Sequence, residues 1–335
     1  MAGMDKRSTA VVYAVAVSVI WGLSFLSTKV AIAVLPPMTI AAARFAVAVL
    51  LLLPLAMRED LRLDLRDLPL MAASGLMGVT IYFLCENNGI ALLTASESSL
   101  VIATIPVLTM LVERVAFGAR LRARSYAGAV LSFAGVGLIV LPSLGARASS
   151  LPGFLYMGGA AVAWVIYALL TKPLGRRYGR VGITFWQSFF GLLGCIPFAL
   201  AESSSWKGVG LTVTLNILYL GVLCSAVGYW LYVSAMDRLG AGTTSVFLNL
   251  VPVVSVGAAF ALLGERLGAA SLAGGAVAIG GVYLATASGP TRSGPTRSDP
   301  TLSGRASAGG GAGKASVEGA AGRGASKGGV PELPR

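Results

Sequence analysis

The sequence predicts an all-α, polytopic membrane protein of about ten transmembrane helices, arranged as two inverted five-helix repeats. Three observations predict it: charge is scarce, long apolar runs follow one another almost to residue 288, and the second half of the chain repeats the first. Of 335 residues, 56% are hydrophobic and 12% charged, against about 25% charged in a soluble domain. Mean hydropathy is +0.79. A chain this poor in charge cannot cover a water-facing surface, so its natural solvent is lipid.

The apolar runs fall at about 10–34, 37–57, 69–93, 97–117, 125–142, 152–173, 181–201, 209–235, 242–263 and 268–288. Each approaches the roughly 20 residues that a helix needs to cross a bilayer core of about 30 Å. The first run is too long for the core of a signal peptide, and it has a partner later in the chain, so it reads as a permanent span. The connections are short. The basic residues set the expected orientation. With the N-terminus inside, the cytoplasmic side receives Lys6, Arg7, Arg58, Arg62, Arg66, Arg120, Arg122, Arg124, Lys172, Arg176, Arg177, Arg180 and Arg238, and the other side only Arg147, Lys207 and Arg266. Positive charge collects inside, so both termini are expected in the cytoplasm and the chain in the inner membrane. The expected domains are a first repeat over 1–145, a second over 150–288, and a disordered cytoplasmic tail over 289–335. The tail is rich in Gly, Ser, Ala and Pro and has no apolar periodicity.

Composition also excludes function classes. The net charge of +12 sits in loops and tail, not on a folded basic face, which argues against nucleic acid as a partner. The chain has no His, which disfavours His-based metal sites and general bases. Cys85, Cys195 and Cys224 lie in separate apolar runs and read as small core residues. No Walker-type phosphate loop is present. Neither cofactor nor metal is expected, and an enzyme is not.

The repeat is visible residue by residue. At an offset of 143, Val19, Trp21, Leu26, Thr28 and Lys29 meet Val162, Trp164, Leu169, Thr171 and Lys172, and Ile40, Pro54 and Ala56 meet Ile183, Pro197 and Ala199. At an offset of 146, Ser99, Pro106, Val107, Gly118, Arg120 and Leu121 meet Ser245, Pro252, Val253, Gly264, Arg266 and Leu267. A three-residue insertion between the two blocks accounts for the change. Five spans is an odd number, so the second repeat must enter the membrane from the opposite face, the arrangement of many secondary transporters.

The stretches WGLSFLSTKVAI at 21–32, SSLVIATIPVLTMLVERVAFGARL at 98–121 and TTSVFLNLVPVVSVGAAFALLGERL at 243–267 resemble the drug/metabolite transporter superfamily, specifically its EamA-type ten-span exporters. The resemblance covers about residues 10–288. It implies secondary transport of small amphipathic metabolites such as amino acids across the inner membrane by alternating access, with export as the expected direction. The residue after Gly at the end of the fourth span, acidic in the family, is Ala119 here, while Glu265 keeps it in the second half. The alternative reading is a membrane scaffold or sensor without transport.

Ionisable groups inside a span are costly, about 2.5–3.5 kcal/mol at a helix centre on insertion scales, so each needs a role. Lys29 either snorkels to the interface or faces a cavity. Arg44, about seven residues into the second span, cannot shed its charge and must face water, a partner or a solute anion; Gln187 holds the matching place. Glu86, in CENNG, is the best candidate for proton coupling or amine recognition, the alternative being a structural pair with Lys29 or Arg44. Trp21 and Trp164 fall mid-span, and with Ser24, Tyr82, Tyr167 and Trp186 they are candidates to line a solute cavity. Pro106 and Pro252, both mid-span, are candidate hinges. The Gly-rich fifth and tenth spans are expected to pack on each other or to form a homodimer seam.

Overall fold

The structure is a computed structural model, and it describes residues 6–59, 61–117, 123–146, 150–175, 177–203, 208–265 and 268–286. The chain divides at Ser293, and the tail expected to be disordered lies outside the described residues. The described part is helical, without strands.

Ten rods follow in order. Span 1 is Lys6–Ile32, span 2 Pro37–Arg58, span 3 Leu68–Leu92, and span 4 the pair Ala95–Ile102 and Ile105–Phe117. Span 5 is Ala123–Ala146, span 6 Ser150–Leu174, span 7 Arg180–Ala201 and span 8 Leu211–Leu239. Span 9 is the pair Ala241–Phe247 and Leu250–Leu263, and span 10 Ala269–Thr286. Eight rods are long and apolar enough to cross a membrane; spans 5 and 10 contribute shorter apolar stretches, Tyr126–Leu138 and Leu272–Leu284.

Local sequence explains the ends. Span 2 begins with Pro37 in its first turn, where a missing N–H costs nothing. Span 4 opens on a capping box, the Thr94 hydroxyl accepting from the Glu97 N–H while the Glu97 carboxylate accepts from the Thr94 N–H. Gly240, at φ 83°, makes the tight joint between spans 8 and 9, a conformation most side chains resist.

Span 2 shows how the rods are arranged in lipid. Ile40, Ala41, Arg44, Phe45, Ala48 and Leu52 form its buried stripe, and Leu50, Leu53, Leu55 and Met57 are exposed. The polar member of the stripe is thus inside and leucines are outside, the reverse of a soluble helix. Spans 5 and 10 bury their glycines on each other. A Cβ on Gly135 would come within 2.3 Å of the Ala278 backbone nitrogen, and one on Gly281 within 2.3 Å of that of Ser132. The small-residue faces offered above as a dimer seam are therefore used within the chain.

The inversion can be read from contacts between loops. Glu202, after span 7, accepts from the backbone N–H groups of Met38 and Thr39, and Glu265, after span 9, from those of Ala95 and Ser96. The first pair joins the 1–2 and 7–8 connections and the second joins the 3–4 and 9–10 connections, all on one face. At the other end of span 2, Arg177 and Tyr178, in the 6–7 connection, donate to Asp67, in the 2–3 connection. The connection that follows the first span of each repeat therefore lies on opposite faces.

Two irregularities recur in both repeats. Spans 3 and 8 each contain a π-helical segment, Leu76–Ile81 and Tyr219–Val227. Their starts differ by 143 and their ends by 146, so the three-residue insertion inferred from sequence is the longer π segment of span 8, nine residues against six. Spans 4 and 9 are each broken, at Ala103–Thr104 and Leu248–Asn249, positions within one residue of the offset of 146. The cause is the proline that follows. Pro106 and Pro252 each lack an N–H and clash with the carbonyl four residues back, at Ile102 and Leu248. Tighter bonds fill in, Thr104 N–H to the Val101 carbonyl, Val107 N–H to Thr104, and Val251 N–H to Leu248. The sequence reading treated both spans as continuous.

Candidate functional site

The two first spans of the repeats meet at the centre. Trp21 and Trp164 occupy matching positions, and their rings touch edge to face, centroids 5.1 Å apart at 87°. Tyr229 lies 5.7 Å from each of them, and Tyr82 packs 5.0 Å from Trp164. The aromatic polar tips are tied down. The Trp21 indole donates to the Cys224 carbonyl at 2.9 Å, and the Tyr229 hydroxyl to the Gly78 carbonyl at 2.7 Å. Both acceptors lie in π segments, a helix form that recurs at functional sites.

These rings border a cavity of about 30 Å³, with room for a water or two, lined by Trp21, Ser24, Phe25, Arg44, Tyr82, Phe83, Glu86 and Trp164, with Tyr229 and apolar residues from the broken spans, Ile102, Ile105, Leu248 and Val251. Arg44 and Glu86 are only 2% and 5% exposed. The buried stripe of span 2 aims Arg44 inward, its Nε donates to Ser225 Oγ at 2.8 Å, and its guanidinium carbon stands 4.4 Å over the Phe83 ring. On span 3, the Tyr82 hydroxyl donates to Glu86 Oε1 at 2.6 Å, one helical turn away. Among the described residues the terminal guanidinium nitrogens of Arg44 and Oε2 of Glu86 make no hydrogen bond. The pocket thus carries one fixed positive and one negative group with open valences, walled by aromatic rings.

The other candidates lie elsewhere. Tyr167 and Gln187 sit in a layer behind the pocket. Gln187 donates to Ser74 Oγ at 2.9 Å and Thr171 Oγ1 at 2.8 Å and accepts from the Tyr167 hydroxyl at 3.3 Å. Lys29 does not line the cavity. Its Nζ donates to the Ile90 and Leu93 carbonyls at 2.7 and 2.5 Å, capping the end of span 3, where exposed carbonyls attract a cation. Glu86 pairs with Tyr82 rather than with Lys29 or an Arg44 ion pair. Trp186 is outside the pocket as well. It packs on Phe185, Phe189 and Phe190 and donates to the Leu61 carbonyl at 3.3 Å. Pro106 and Pro252 lie just past the breaks that border the cavity. Sequence reasoning missed Phe83, Ser225 and the central place of Tyr229; the neighbour of Tyr82 could have been suspected, but Ser225 is brought in only by the π segment. Among the described residues no group of three or more His, Cys, Asp or Glu side chains could hold a metal.

A second, larger cavity of about 330 Å³ lies between spans 4, 9 and 10, lined only by apolar and small residues, among them Leu100, Pro252, Val256, Gly257 and Leu272. It has volume without chemistry.

The comparisons with known proteins agree with this architecture. A family model described as the EamA-like transporter family matches residues 8–141 and again 151–287. An uncharacterized transporter of Archaeoglobus fulgidus is 29% identical over 79% of this chain and 94% of its own. A protein of Streptantibioticus cattleyicolor named a probable terminal-alkyne amino-acid exporter is 32% identical over 65% of this chain and 73% of its own. A protein of Salmonella typhimurium named a probable amino-acid metabolite efflux pump is 26% identical over 81% of this chain and 92% of its own. A solved crystal structure, 21% identical, superposes with a TM-score of 0.62 over 84% of this chain and 98% of its own, a likeness of fold. Two copies of this one transporter-family model together cover nearly all of the helical body. The chain is a multi-pass membrane protein, a transporter of the EamA-like family within the drug/metabolite transporter superfamily.

Proposed function

We propose that the chain exports small zwitterionic metabolites of the amino-acid type across the inner membrane, by alternating access of its inverted repeats around the pocket of Arg44 and Glu86. The observation that carries this reading is the pair of opposite charges, each with an unengaged edge, in one aromatic-walled pocket where the repeats meet. The open face of the Arg44 guanidinium suits a carboxylate, Glu86 Oε2 suits an ammonium, and Trp21, Trp164 and Tyr229 suit an apolar or cationic side group. The names of the relatives from Streptantibioticus and Salmonella support the same class of solute.

A cavity of about 30 Å³ holds no amino acid, so binding requires the walls to move. Pro106 and Pro252 are the hinges. Each frees the inner half of a broken span that borders the pocket, and the two breaks are related by the repeat, so opening at one face matches closure at the other. Glu86 couples the cycle to protons, because a proton and the solute ammonium compete for the same carboxylate. The excess of Lys and Arg on the 2–3 and 6–7 connections supports a cytoplasmic setting for that face and for both termini.

The test is counterflow in proteoliposomes with a panel of labelled amino acids under an imposed pH gradient. The wild-type chain moves at least one of them with a pH-dependent rate, and Glu86→Gln, still folded, loses that dependence. Unchanged pH dependence would remove Glu86 from coupling. Absence of flux for the whole panel would sink the solute class.

A further inference from the structure

Two carboxylates of the second repeat close one face of the molecule on the first, and among the described residues no equivalent carboxylate cap stands on the other face. Glu202 Oε1 accepts from the Met38 N–H at 3.2 Å, and its Oε2 accepts from the Thr39 N–H at 2.8 Å and the Thr39 hydroxyl at 3.0 Å. Glu265 repeats the pattern. Its Oε1 accepts from the Ala95 N–H at 3.2 Å, and its Oε2 accepts from the Ser96 N–H at 3.3 Å and the Ser96 hydroxyl at 2.9 Å. In both, a carboxylate that follows a span of one repeat caps the N-terminus of a helix of the other, with both oxygens engaged and a hydroxyl added. Such charge-assisted bonds at a helix N-terminus are among the stronger ones available.

The repeat relation identifies what stands at the opposite face. By the offset of 143, Glu202 corresponds to Glu59 and Thr39 to Gly182; by the offset of 146, Glu265 corresponds to Ala119 and Ser96 to Gly242. Both hydroxyls are gone and one of two carboxylates is gone. Glu59 does lie against the start of span 7, where a Cβ on Gly179 would sit 2.7 Å from its Oε2. Yet among the described residues no hydrogen bond joins the Glu59 side chain to that first turn. The opposite face is held instead by Asp67, with Arg177 and Tyr178, and the Arg177 side chain is 66% exposed, a setting in which ion pairs contribute little.

We infer that Glu202 and Glu265 are paired gate clasps, which hold the face of the 1–2, 3–4, 7–8 and 9–10 connections shut at rest and bias the molecule to open first at the face of the 2–3 and 6–7 connections. The inference rests on the alternating-access reading, but it concerns which face opens and not what passes. It assigns a function to the departure at Ala119. A symmetric set of clasps would balance the two open states, whereas loss of one set tilts the equilibrium by the differential strength of the two.

The test reads accessibility, so its failure is distinct from failure of transport. The reporter is Ile102→Cys, a buried pocket-lining position. It is modified by an impermeant thiol reagent in membrane vesicles of each sidedness and quantified by mass spectrometry of its own peptide, apart from Cys85, Cys195 and Cys224. With the clasps intact, modification is faster from the face of the 2–3 and 6–7 connections. Glu202→Gln with Glu265→Gln raises the rate from the clasped face about tenfold or more, the scale of a lost hydrogen bond to a charged group. An unchanged rate in a folded double variant overturns the inference. The second arm builds the missing clasps with Gly182→Ser and Ala119→Glu. A Cβ at Gly182 meets nothing within 4 Å, so the hydroxyl enters open space in the first turn after Gly179, which Glu59 Oε2 approaches. This variant slows modification from the face of the 2–3 and 6–7 connections. If the glutamine variant does not fold, an unchanged rate in the second arm overturns the inference alone. Normal amino-acid flux with no change of accessibility would leave the transport reading standing and remove the clasps.

Discussion

Arg44 and Gln187 occupy the same register on the second span of each repeat, 143 residues apart, and they serve opposite ends. Arg44 is charged, makes one side-chain hydrogen bond, stands over the Phe83 ring and turns its remaining edge to the pocket. Gln187 is neutral, bonds Ser74, Thr171 and Tyr167 and lies behind the pocket. The same contrast holds between Glu86 and Tyr232, which the offset of 146 relates: Glu86 lines the pocket, while the Tyr232 hydroxyl accepts from the Trp164 indole at 3.3 Å. Duplication has thus been kept where it shapes backbone, in the π segments and the proline breaks, and abandoned where it would place charge. The reason is electrostatic. Two symmetric arginines in one small buried pocket would repel each other with no partner between them, and buried charge without compensation is among the costliest arrangements a protein can hold.

This contrast can be broken most sharply at Arg44. Arg44→Gln makes the first repeat match the second and removes the positive group from the pocket. Flux in proteoliposomes is expected to fall by about 100-fold or more, the scale of truncating one member of a buried hydrogen-bonded charge pair, with the helical signal retained. Retained flux would show that the charge serves packing and not solute. A smaller and different effect is expected from Gln187→Ala. It takes from the buried Tyr167 hydroxyl its acceptor in Gln187 and removes the donor that Ser74 and Thr171 accept from, a cost of about 1–3 kcal/mol, and lowers the thermal midpoint in detergent while the apparent KM stays near that of wild type. A KM shift as large as that of Arg44→Gln would erase the distinction between the two registers.

The smallest effect is expected at the membrane face, where Asp67→Asn removes the carboxylate held by Arg177 and Tyr178. The Tyr178 hydroxyl, and after it the Arg177 guanidinium, hold the Asp67 carboxyl below its ordinary value of 3.8. A carboxyl lowered on folding adds stability above its unfolded value, and that contribution is lost as pH falls through the lowered folded value. The difference in thermal midpoint between wild type and Asp67→Asn is therefore constant from about pH 5 to 8 and shrinks only below about pH 4. A difference that grew on acidification would reverse the assignment.

Much of the architecture was legible beforehand, because in lipid each helix must satisfy its own backbone and so announces itself as a long apolar run. The repeat offsets matched Trp21 with Trp164 and anticipated an insertion, and Pro106 and Pro252 were legible as hinge positions although their spans read as continuous. Of the candidate side chains, Trp21, Ser24, Arg44, Tyr82, Glu86 and Trp164 do meet at one cavity. Lys29 lies outside the cavity, and its partners were not legible, because they are carbonyls at the end of span 3, about sixty residues away, and backbone acceptors carry no signature in sequence. Trp186 resembled the other mid-span aromatics, and only its helix rotation sends it to Leu61 and the Phe185–Phe190 cluster.

Hydrophobicity, charge asymmetry and internal likeness are properties of the chain itself, and from them the sequence alone determined the membrane setting, the number of rods and the opposed orientation of the halves. Which polar groups share a pocket depends on the azimuth of each helix, and that azimuth is reset by π segments that add residues without breaking the rod. The tertiary structure alone decided that Arg44 meets Ser225, that Glu86 answers to Tyr82, and that Glu202 and Glu265 reach across to the other repeat. These contacts join residues far apart in sequence, and a few degrees of rotation in one helix would have chosen different partners.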